Sequence, residues 1–173
     1  RRLLAACEVF RPQCLIATGL APVAAWALER IGKMGIRRVN YLTDDPWNPS
    51  HRARWFFQAL PHYDIVFSPR RMNLEDLHRL GCCRVFYLPF AYDPSLHFPD
   101  PPSTPEEKAY FDCDVVFAGG ADQDRLPYVS ALIQAGFRIH LYGGYWDRYR
   151  QTRACARGHA DPETLRKAIS GAK

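Results

Sequence analysis

The sequence contains no apolar run long enough to cross a membrane. Its most apolar stretch, residues 14–28, is interrupted by Gly19 and Pro22. It is also shorter than the roughly 20 residues that a spanning helix needs. We therefore expect no transmembrane segment.

Signatures of several common chemistries are missing as well. The six cysteines form no C-x-x-C pair, and the adjacent Cys82 and Cys83 suit neither a zinc knuckle nor an easy disulfide. There is no G-x-S-x-G nucleophile turn, and no pairing among the six histidines is typical of a metal site or a catalytic triad. The cysteine pattern favours a reducing compartment, and we expect a cytoplasmic protein.

The positive charge of the chain is scattered rather than concentrated. The net charge is +5, but cations are interleaved with acids, and the densest group is four arginines between positions 148 and 157. We interpret that group as a solvated loop and expect no nucleic-acid partner. With 47% hydrophobic residues, the 173-residue chain has enough apolar material for a packed core, so disorder is not expected.

Both ends of the sequence interrupt a structural pattern. Leu3, Leu4, Cys7 and Phe10 follow a helical spacing from the first residues, without a strand before them. At the other end, residues 168–173 finish a helix where a strand should follow. The sequence is therefore expected to be an internal piece of a longer protein, with both lobes incomplete and no activity of its own.

Short apolar runs alternate with helical patterns along the chain. Because these runs are mostly continuous rather than alternating, they are typical of strands buried on both faces of a parallel sheet. Their recurrence predicts right-handed βαβ units and an α/β fold. Strands are predicted at Cys14–Thr18, Arg38–Thr43, Asp64–Ser68, Arg84–Leu88, Cys113–Ala118 and Arg138–Tyr142.

Proline and capping residues predict where the helices begin. Pro22 fits the first position of a helix, and Ser68 before Pro69 fits an N-cap. Asp124 and Asp161 are the predicted caps of two helices in the second half of the chain.

A proline-rich segment interrupts this alternation. Residues 89–105 contain six of the fourteen prolines, which disfavour both sheet and helix. The sequence therefore predicts an N-terminal lobe at residues 1–92, a linker at residues 93–112 and a C-terminal lobe at residues 113–173.

One candidate site lies where the strand ending at Ala118 runs into two glycines. Gly119 and Gly120 let the backbone approach a ligand closely, and the N-terminus of the following helix favours phosphate. Arg125 in the first turn would be unfavourable by the helix dipole unless an anion were bound nearby. The pattern matches no known phosphate motif, so a simple strand–helix turn explains it equally well.

Acidic residues offer two further candidates. Asp122 and Asp124 have a spacing that can chelate a divalent metal, but we favour a helix cap. Asp44 and Asp45 follow a strand and precede a rigid turn and a helix expected at His51, where a carboxylate could orient a hydroxyl or act as a general base. An Asx-type turn is the alternative for this pair.

A third candidate is the segment from Tyr142 to Trp146. It contains Gly143 and follows the last strand that the pattern shows. It could cover a nucleotide base or sugar, or it could be an aromatic–glycine turn.

Taken in order, these segments resemble the CgeB-like (spore-maturation-type) glycosyltransferases. The likeness covers nearly the whole chain. It is carried by residues 42–46 (LTDDP), 63–68 (YDIVFS), 87–94 (YLPFAYDP), Phe98-Pro99, 114–120 (DVVFAGG) with Arg125, 141–143 (LYG) with Trp146, and 165–173 (LRKAISGAK).

The resemblance implies a GT-B fold, in which two Rossmann-like lobes with parallel sheets face each other across a cleft. It implies transfer of a sugar from a nucleoside diphosphate sugar to a hydroxyl acceptor, with no metal and no cofactor beyond that co-substrate. The donor would be bound by Gly119, Gly120, Arg125, Gly143 and Trp146 of the C-terminal lobe. The acceptor would lie on the N-terminal lobe near Asp44 and Asp45, the candidate catalytic residues.

Other functions stay open for the same architecture. A non-catalytic two-lobed small-molecule-binding protein shares this architecture. If that protein were exported, six cysteines without an evident pairing would be unexpected. A sugar-nucleotide epimerase would use the same phosphate-binding turn without an acceptor lobe.

Overall fold

A computed structural model describes residues 1–50 and 52–173, and the helix start expected at His51 lies outside them. The chain divides into two compact units, which are Arg1–Ala91 (unit 1) and Tyr92–Lys173 (unit 2). Each unit contains one sheet, and both sheets are parallel throughout. The predicted α/β class with two parallel sheets is therefore confirmed.

Unit 1 builds a four-stranded sheet whose strands lie in the order of the sequence, β1-β2-β3-β4. Its elements are α1 (Arg2–Phe10), β1 (Cys14–Thr18), α2 (Ala25–Lys33), β2 (Arg37–Tyr41), α3 (Arg54–Ala59), β3 (Ile65–Ser68), α4 (Asn73–Arg79) and β4 (Val85–Tyr87).

The connecting helices of unit 1 pack on one face of this sheet. Right-handed crossovers between successive neighbours place every connecting helix on the same side. Leu28 of α2, Phe56 of α3 and Leu77 of α4 accordingly share one core. The opposite face carries Ile16, which is 67% exposed, and Phe86, which is 49% exposed. Among the described residues of unit 1, no helix covers that second face.

An ion pair joins two strands at the amino end of the unit 1 sheet. Asp64 accepts hydrogen bonds from the backbone N–H of Arg38 at 2.7 Å and from its Nε and Nη2 atoms at 3.0 and 2.5 Å. Arg38 Nη1 also donates to the carbonyl of Leu28 in α2 at 3.1 Å. Hydrogen bonding to Arg38 holds the pKa of Asp64 below its usual value. The pair therefore fixes α2 and β3 to β2.

We expect Asp64→Asn to lower the free energy of unfolding by about 2 kcal/mol at pH 7, because charge-assisted hydrogen bonds are lost. Since the folded-state pKa of Asp64 is lowered, its contribution is complete above the unfolded value of about 4 and disappears as the pH falls through the folded value. Urea unfolding at pH 7 and pH 2.5 measures both effects. The parent and Asp64→Asn should differ at pH 7, and the difference should be smaller at the lower pH. Asp76→Asn, in an exposed pair with Arg79, is the control and should change little. Equal losses for the two variants would contradict the assignment.

Unit 2 builds a three-stranded sheet in the order β5-β6-β7. Its elements are α5 (Pro105–Phe111), β5 (Val115–Ala118), α6 (Leu126–Gln134), β6 (Ile139–Tyr142), β7 (Ala156–Gly158) and α7 (Pro162–Gly171).

Helices cover both faces of the unit 2 sheet. Leu126 and Val129 of α6 pack with Leu141 on one face. Phe111 of α5 and Ala168 of α7 pack with Tyr142 on the other. The central strand β6 is consequently buried along its whole length.

The chain after α7 returns to the free edge of β5. Ala172 forms a parallel bridge with Cys113, and the N–H of Lys173 donates to the carbonyl of Cys113 at 3.2 Å. The neighbouring N–H of Asp114 donates to Arg138 before β6, so these two partners flank opposite edges of the strand. The segment after α7 therefore lies on the side of β5 opposite to β6.

Several details differ from the prediction. Helix α2 begins at Ala25 rather than at Pro22. Ser68 is the buried last residue of β3 instead of an N-cap, and helix α4 begins only at Asn73. Asp161 does cap α7, since its side chain accepts from the N–H of Thr164 at 2.7 Å.

Two elements of unit 2 were not predicted. Helix α5 lies within the predicted linker, with a capping box between Thr104 and Glu107. Strand β7 comes after Arg138–Tyr142, which is the last strand that the sequence predicts.

The longest described helix, α7, has ten residues, and no helix in the described part of the chain could cross a membrane.

Candidate functional site

The carboxyl ends of all three strands of unit 2 meet in a surface made of glycines, which we call the glycine edge (Gly119, Gly120, Gly143, Gly144 and Gly158). The N–H of Gly119 donates to Tyr142 at 2.8 Å, and the N–H of Ala121 donates to Gly144 at 2.9 Å. The N–H of Gly143 donates to Gly158 at 2.7 Å. Two of the predicted donor residues, Gly119 and Gly143, are thus brought together across neighbouring strands.

Gly143 is the position at which this surface requires glycine. Its φ is +123°, a conformation that other residues rarely adopt. A Cβ there would lie 2.5 Å from the carbonyl oxygen of Gly119 and 3.0 Å from the nitrogen of Gly120. The role that the structure shows for Gly143 is therefore to let two backbone segments touch.

Gly120 is less constrained. A Cβ there would meet only the carbonyl oxygen of Gly144, at an ordinary distance of 3.6 Å. A Cβ at position 120 would thus fit without a clash with the described residues.

Trp146 is buried beneath the glycine edge and contacts it through a hydrogen bond. Its side chain is 1% exposed, and its Nε1–H donates to the carbonyl of Gly119 at 2.7 Å. The ring also packs edge-on against Phe117. Because both the ring and its N–H are occupied within the protein, Trp146 positions Gly119 and does not offer a free aromatic face.

Arg125 lies directly before α6 and reaches back to the glycine edge. Its Nη1 donates to the carbonyl of Gly120 at 2.7 Å and lies 3.1 Å from Oδ2 of Asp122. The side chain is 47% exposed. A cation is therefore held beside the edge, with part of its hydrogen-bonding capacity facing solvent.

The two acids that precede α6, Asp122 and Asp124, have different roles in the structure. Asp122 caps this turn, because its Oδ1 accepts from the N–H of Arg125 at 2.8 Å and its carbonyl accepts from Leu126 at 3.2 Å. The predicted cap at Asp124 is wrong, since α6 begins at Leu126 and Asp124 is exposed before it.

Two more residues lie in this region: Tyr145, which belongs to the candidate segment from Tyr142 to Trp146, and His159, which was not found from the sequence. Tyr145 has a left-handed backbone with φ of +73° and is 55% exposed, with the Arg148 guanidinium 4.3 Å from its ring. His159 follows β7, and a Cβ on Gly144 would lie 3.6 Å from its Nε2. Because the short strand β7 was not predicted, nothing in the pattern connected His159 with the glycine edge.

The residues directly after His159 line an apolar cavity of about 440 Å³. It lies between the segment around Phe98 and the start of α7, and Ala160, Pro162 and Leu165 contribute to its wall. The Arg166 guanidinium stacks 4.3 Å from the ring centre of Phe98, and Asp100 lies 3.5 Å from its Nε.

His140 is a strand residue, as the sequence indicated, and lies apart from this surface. It is 6% exposed in β6, and its Nε2 lies 2.6 Å from Nη2 of Arg157. Burial, and then the charge of Arg157, lower the pKa of His140. The neutral form of His140 is therefore favoured on the face covered by α5 and α7.

Unit 1 has its own group of polar residues at the carboxyl end of its sheet. Gly19 ends β1 with φ of +58°, and a Cβ there would collide with the carboxylate of Asp44. The amide of Asn40 donates to the carbonyl of Gly19 at 3.2 Å. Arg70, after β3, donates to the carbonyl of Thr43 at 2.8 Å. These contacts bring the ends of three strands together around Asp44.

The two predicted catalytic carboxylates have different surroundings. Oδ1 of Asp45 accepts from the N–H of Trp47 at 3.1 Å and from the amide of Asn73 at 3.3 Å. Asp44 contacts the hydroxyl of Thr43 at 3.4 Å. Asp45 thus forms the turn, while the described contacts of Asp44 are to Thr43 and to the backbone of Gly19.

Within residues 1–50 and 52–173, no group of three or more histidine, cysteine or acidic side chains is arranged to hold a metal ion.

Comparison with models of known protein families gives no match, and no curated protein matches the chain. The resemblance to the CgeB-like glycosyltransferases therefore rests on the residues quoted for it.

Proposed function

We propose that the chain forms part of a glycosyltransferase that moves a sugar from a nucleoside diphosphate sugar to a hydroxyl acceptor. The observation that carries the proposal is the position of the glycine edge. In open α/β sheets, ligands bind beyond the carboxyl ends of strands where the strand order reverses. Gly119 and Gly120 directly follow β5, which has β6 on one side and the returning segment at Ala172 on the other.

The glycine edge suits a diphosphate. Glycines allow a phosphate to approach the backbone closely, and the start of α6 adds its dipole. Arg125 supplies a cation at the same place. In the proposed reaction, the bond between the sugar's anomeric carbon and the diphosphate oxygen breaks, and Arg125 stabilises the charge that develops on the leaving group.

The apolar cavity suits the uncharged part of the same donor. Its volume of about 440 Å³ lies in the range of small-molecule sites. Pro162, Leu165 and Phe98 provide apolar walls for a nucleobase. The donor would then extend from the glycine edge, along the end of β7, into the cavity.

The acceptor side of the proposal concerns Asp44. Its carboxylate lies against the backbone of Gly19 at the end of the unit 1 sheet, where a hydroxyl group could approach it. Asp44 would take the proton of the acceptor hydroxyl as its oxygen bonds to the anomeric carbon. Asp45 would hold the turn. A GT-B arrangement, with unit 1 as the acceptor lobe and unit 2 as the donor lobe, belongs to this proposal.

We expect Arg125→Ala to weaken binding of UDP or GDP by about 10- to 100-fold, because a charge-assisted contact worth about 1.5–3 kcal/mol is lost. Gly120→Val should weaken binding similarly, because its side chain would occupy the phosphate position. Calorimetric titration of each variant with both nucleotides measures the effect.

Arg150→Ala, which removes an exposed arginine of unit 2, is the control for charge and should leave affinity unchanged. Circular dichroism checks that each variant is folded. If Arg125→Ala and Gly120→Val bind UDP and GDP as tightly as the parent, the donor site is elsewhere. If the parent binds neither nucleotide, the proposed function fails.

A further inference from the structure

We propose that His159 contacts the nucleoside monophosphate part of the donor, between the diphosphate and the base. This inference rests on the proposed function, because it assigns a residue to the donor site. It starts from the contacts among the ends of β5, β6 and β7.

His159 is connected to the Gly119–Gly120 turn through Gly144. Gly120 faces the carbonyl of Gly144, with 3.6 Å between that oxygen and the Cβ position of residue 120. Gly144 in turn faces His159, whose Nε2 and Cε1 lie 3.6 and 3.8 Å from the Cβ position of residue 144. The imidazole is therefore separated from the Gly119–Gly120 turn by a single glycine.

The cavity begins at the next residue. Ala160, Asp161 and Pro162 line it directly after His159. A ligand with phosphate at Gly120 and its base in the cavity would pass close to His159. In a nucleoside diphosphate, the ribose and the α-phosphate connect those two parts.

The chemistry of the imidazole fits that position. A ring nitrogen can donate to a phosphate oxygen or exchange a hydrogen bond with a ribose hydroxyl. The side chain is exposed, so a ligand can reach it. Gly144, which faces the ring, has no side chain that would stand between His159 and a ligand.

Ligands of different length separate this contact from the diphosphate contact. We expect His159→Ala to weaken binding of UMP and UDP by about the same factor, 5- to 20-fold, and to leave the affinity for inorganic pyrophosphate unchanged. Arg125→Ala should show the reverse pattern, with large losses for pyrophosphate and UDP and a smaller loss for UMP. GMP and GDP serve as the second nucleotide series. His159→Asn, which keeps a donor and an acceptor, should recover part of the affinity.

His78→Ala, at an exposed histidine of α4 in unit 1, is the matched control and should bind all three ligands like the parent. Unchanged affinity of His159→Ala for UMP and UDP, together with the expected losses for Arg125→Ala, would overturn the role of His159 and leave the proposed function intact. A loss for pyrophosphate as large as that for UMP would also overturn it, since the contact would then be to the diphosphate. If the parent binds no nucleotide, the inference and the proposed function fall together.

Discussion

Trp146→Ala is expected to lower the free energy of unfolding by about 3–5 kcal/mol, the range typical of a large aromatic side chain removed from a core. Trp146 is 1% exposed and packs with Leu126, Val129 and Leu141. Its removal would leave a cavity directly under the glycine edge. Urea unfolding followed by circular dichroism measures the loss.

Trp146→Phe tests the contribution of the indole N–H to stability separately from the contribution of the ring's packing. Most of the packing is kept, but the carbonyl of Gly119 loses its 2.7 Å donor. We expect a smaller loss of about 1–3 kcal/mol. Hydrogen exchange at Ala121, next to the Gly119–Gly120 turn, should become faster. Trp26→Ala, at a tryptophan that is 51% exposed, is the control and should change stability little. If Trp146→Ala were as mild as Trp26→Ala, Trp146 would not be part of the core.

Gly143→Ala should destabilise unit 2 by about 3–4 kcal/mol. Two effects contribute, namely a left-handed backbone and a Cβ placed 2.5 Å from the carbonyl oxygen of Gly119. Trp146 is the only tryptophan in the sequence of unit 2. After phenylalanine replaces the three tryptophans of unit 1, its fluorescence during urea unfolding follows that unit.

Gly136→Ala isolates the conformational part of this effect. Gly136 also has a left-handed backbone, with φ of +86°, but a Cβ there would meet nothing within 4 Å. It should therefore lose only the backbone term of about 1–2 kcal/mol. Equal losses of stability for Gly136→Ala and Gly143→Ala would show that the close approach of Gly143 to Gly119 adds nothing to the cost of a side chain at position 143.

The strands that could be predicted are those with continuous apolar runs. β1 was predicted at Cys14–Thr18, where the structure has it, because five residues of this run stand between clear turn signals. β7 has the sequence Ala-Arg-Gly and lies at the edge of its sheet, so it lacks the apolar run that marks a buried strand. Helix α5 carried a readable signal in Thr104-Pro105-Glu106-Glu107, but the prolines around it favoured a linker.

The candidate site was predictable at the level of strand ends, not of side-chain roles. Gly119, Gly120 and Arg125 could be grouped because they are close in sequence. The burial of Trp146 and its bond to Gly119 depend on residues that are 27 positions apart. The position of His159 depends on β7. The difference between Asp44 and Asp45 depends on Asn73, which comes from another helix. Only tertiary structure brings such pairs together.

The uncovered face of the unit 1 sheet affects how stability depends on temperature. The heat capacity of unfolding arises mainly from apolar surface that is dry in the folded state and becomes hydrated on unfolding. Ile16 and Phe86 are already largely hydrated in the folded unit, so they add little to that change. Unit 1 should therefore have a smaller heat-capacity increment per residue than a sheet covered on both faces. Its stability curve should be correspondingly flatter, with cold destabilisation displaced to lower temperature.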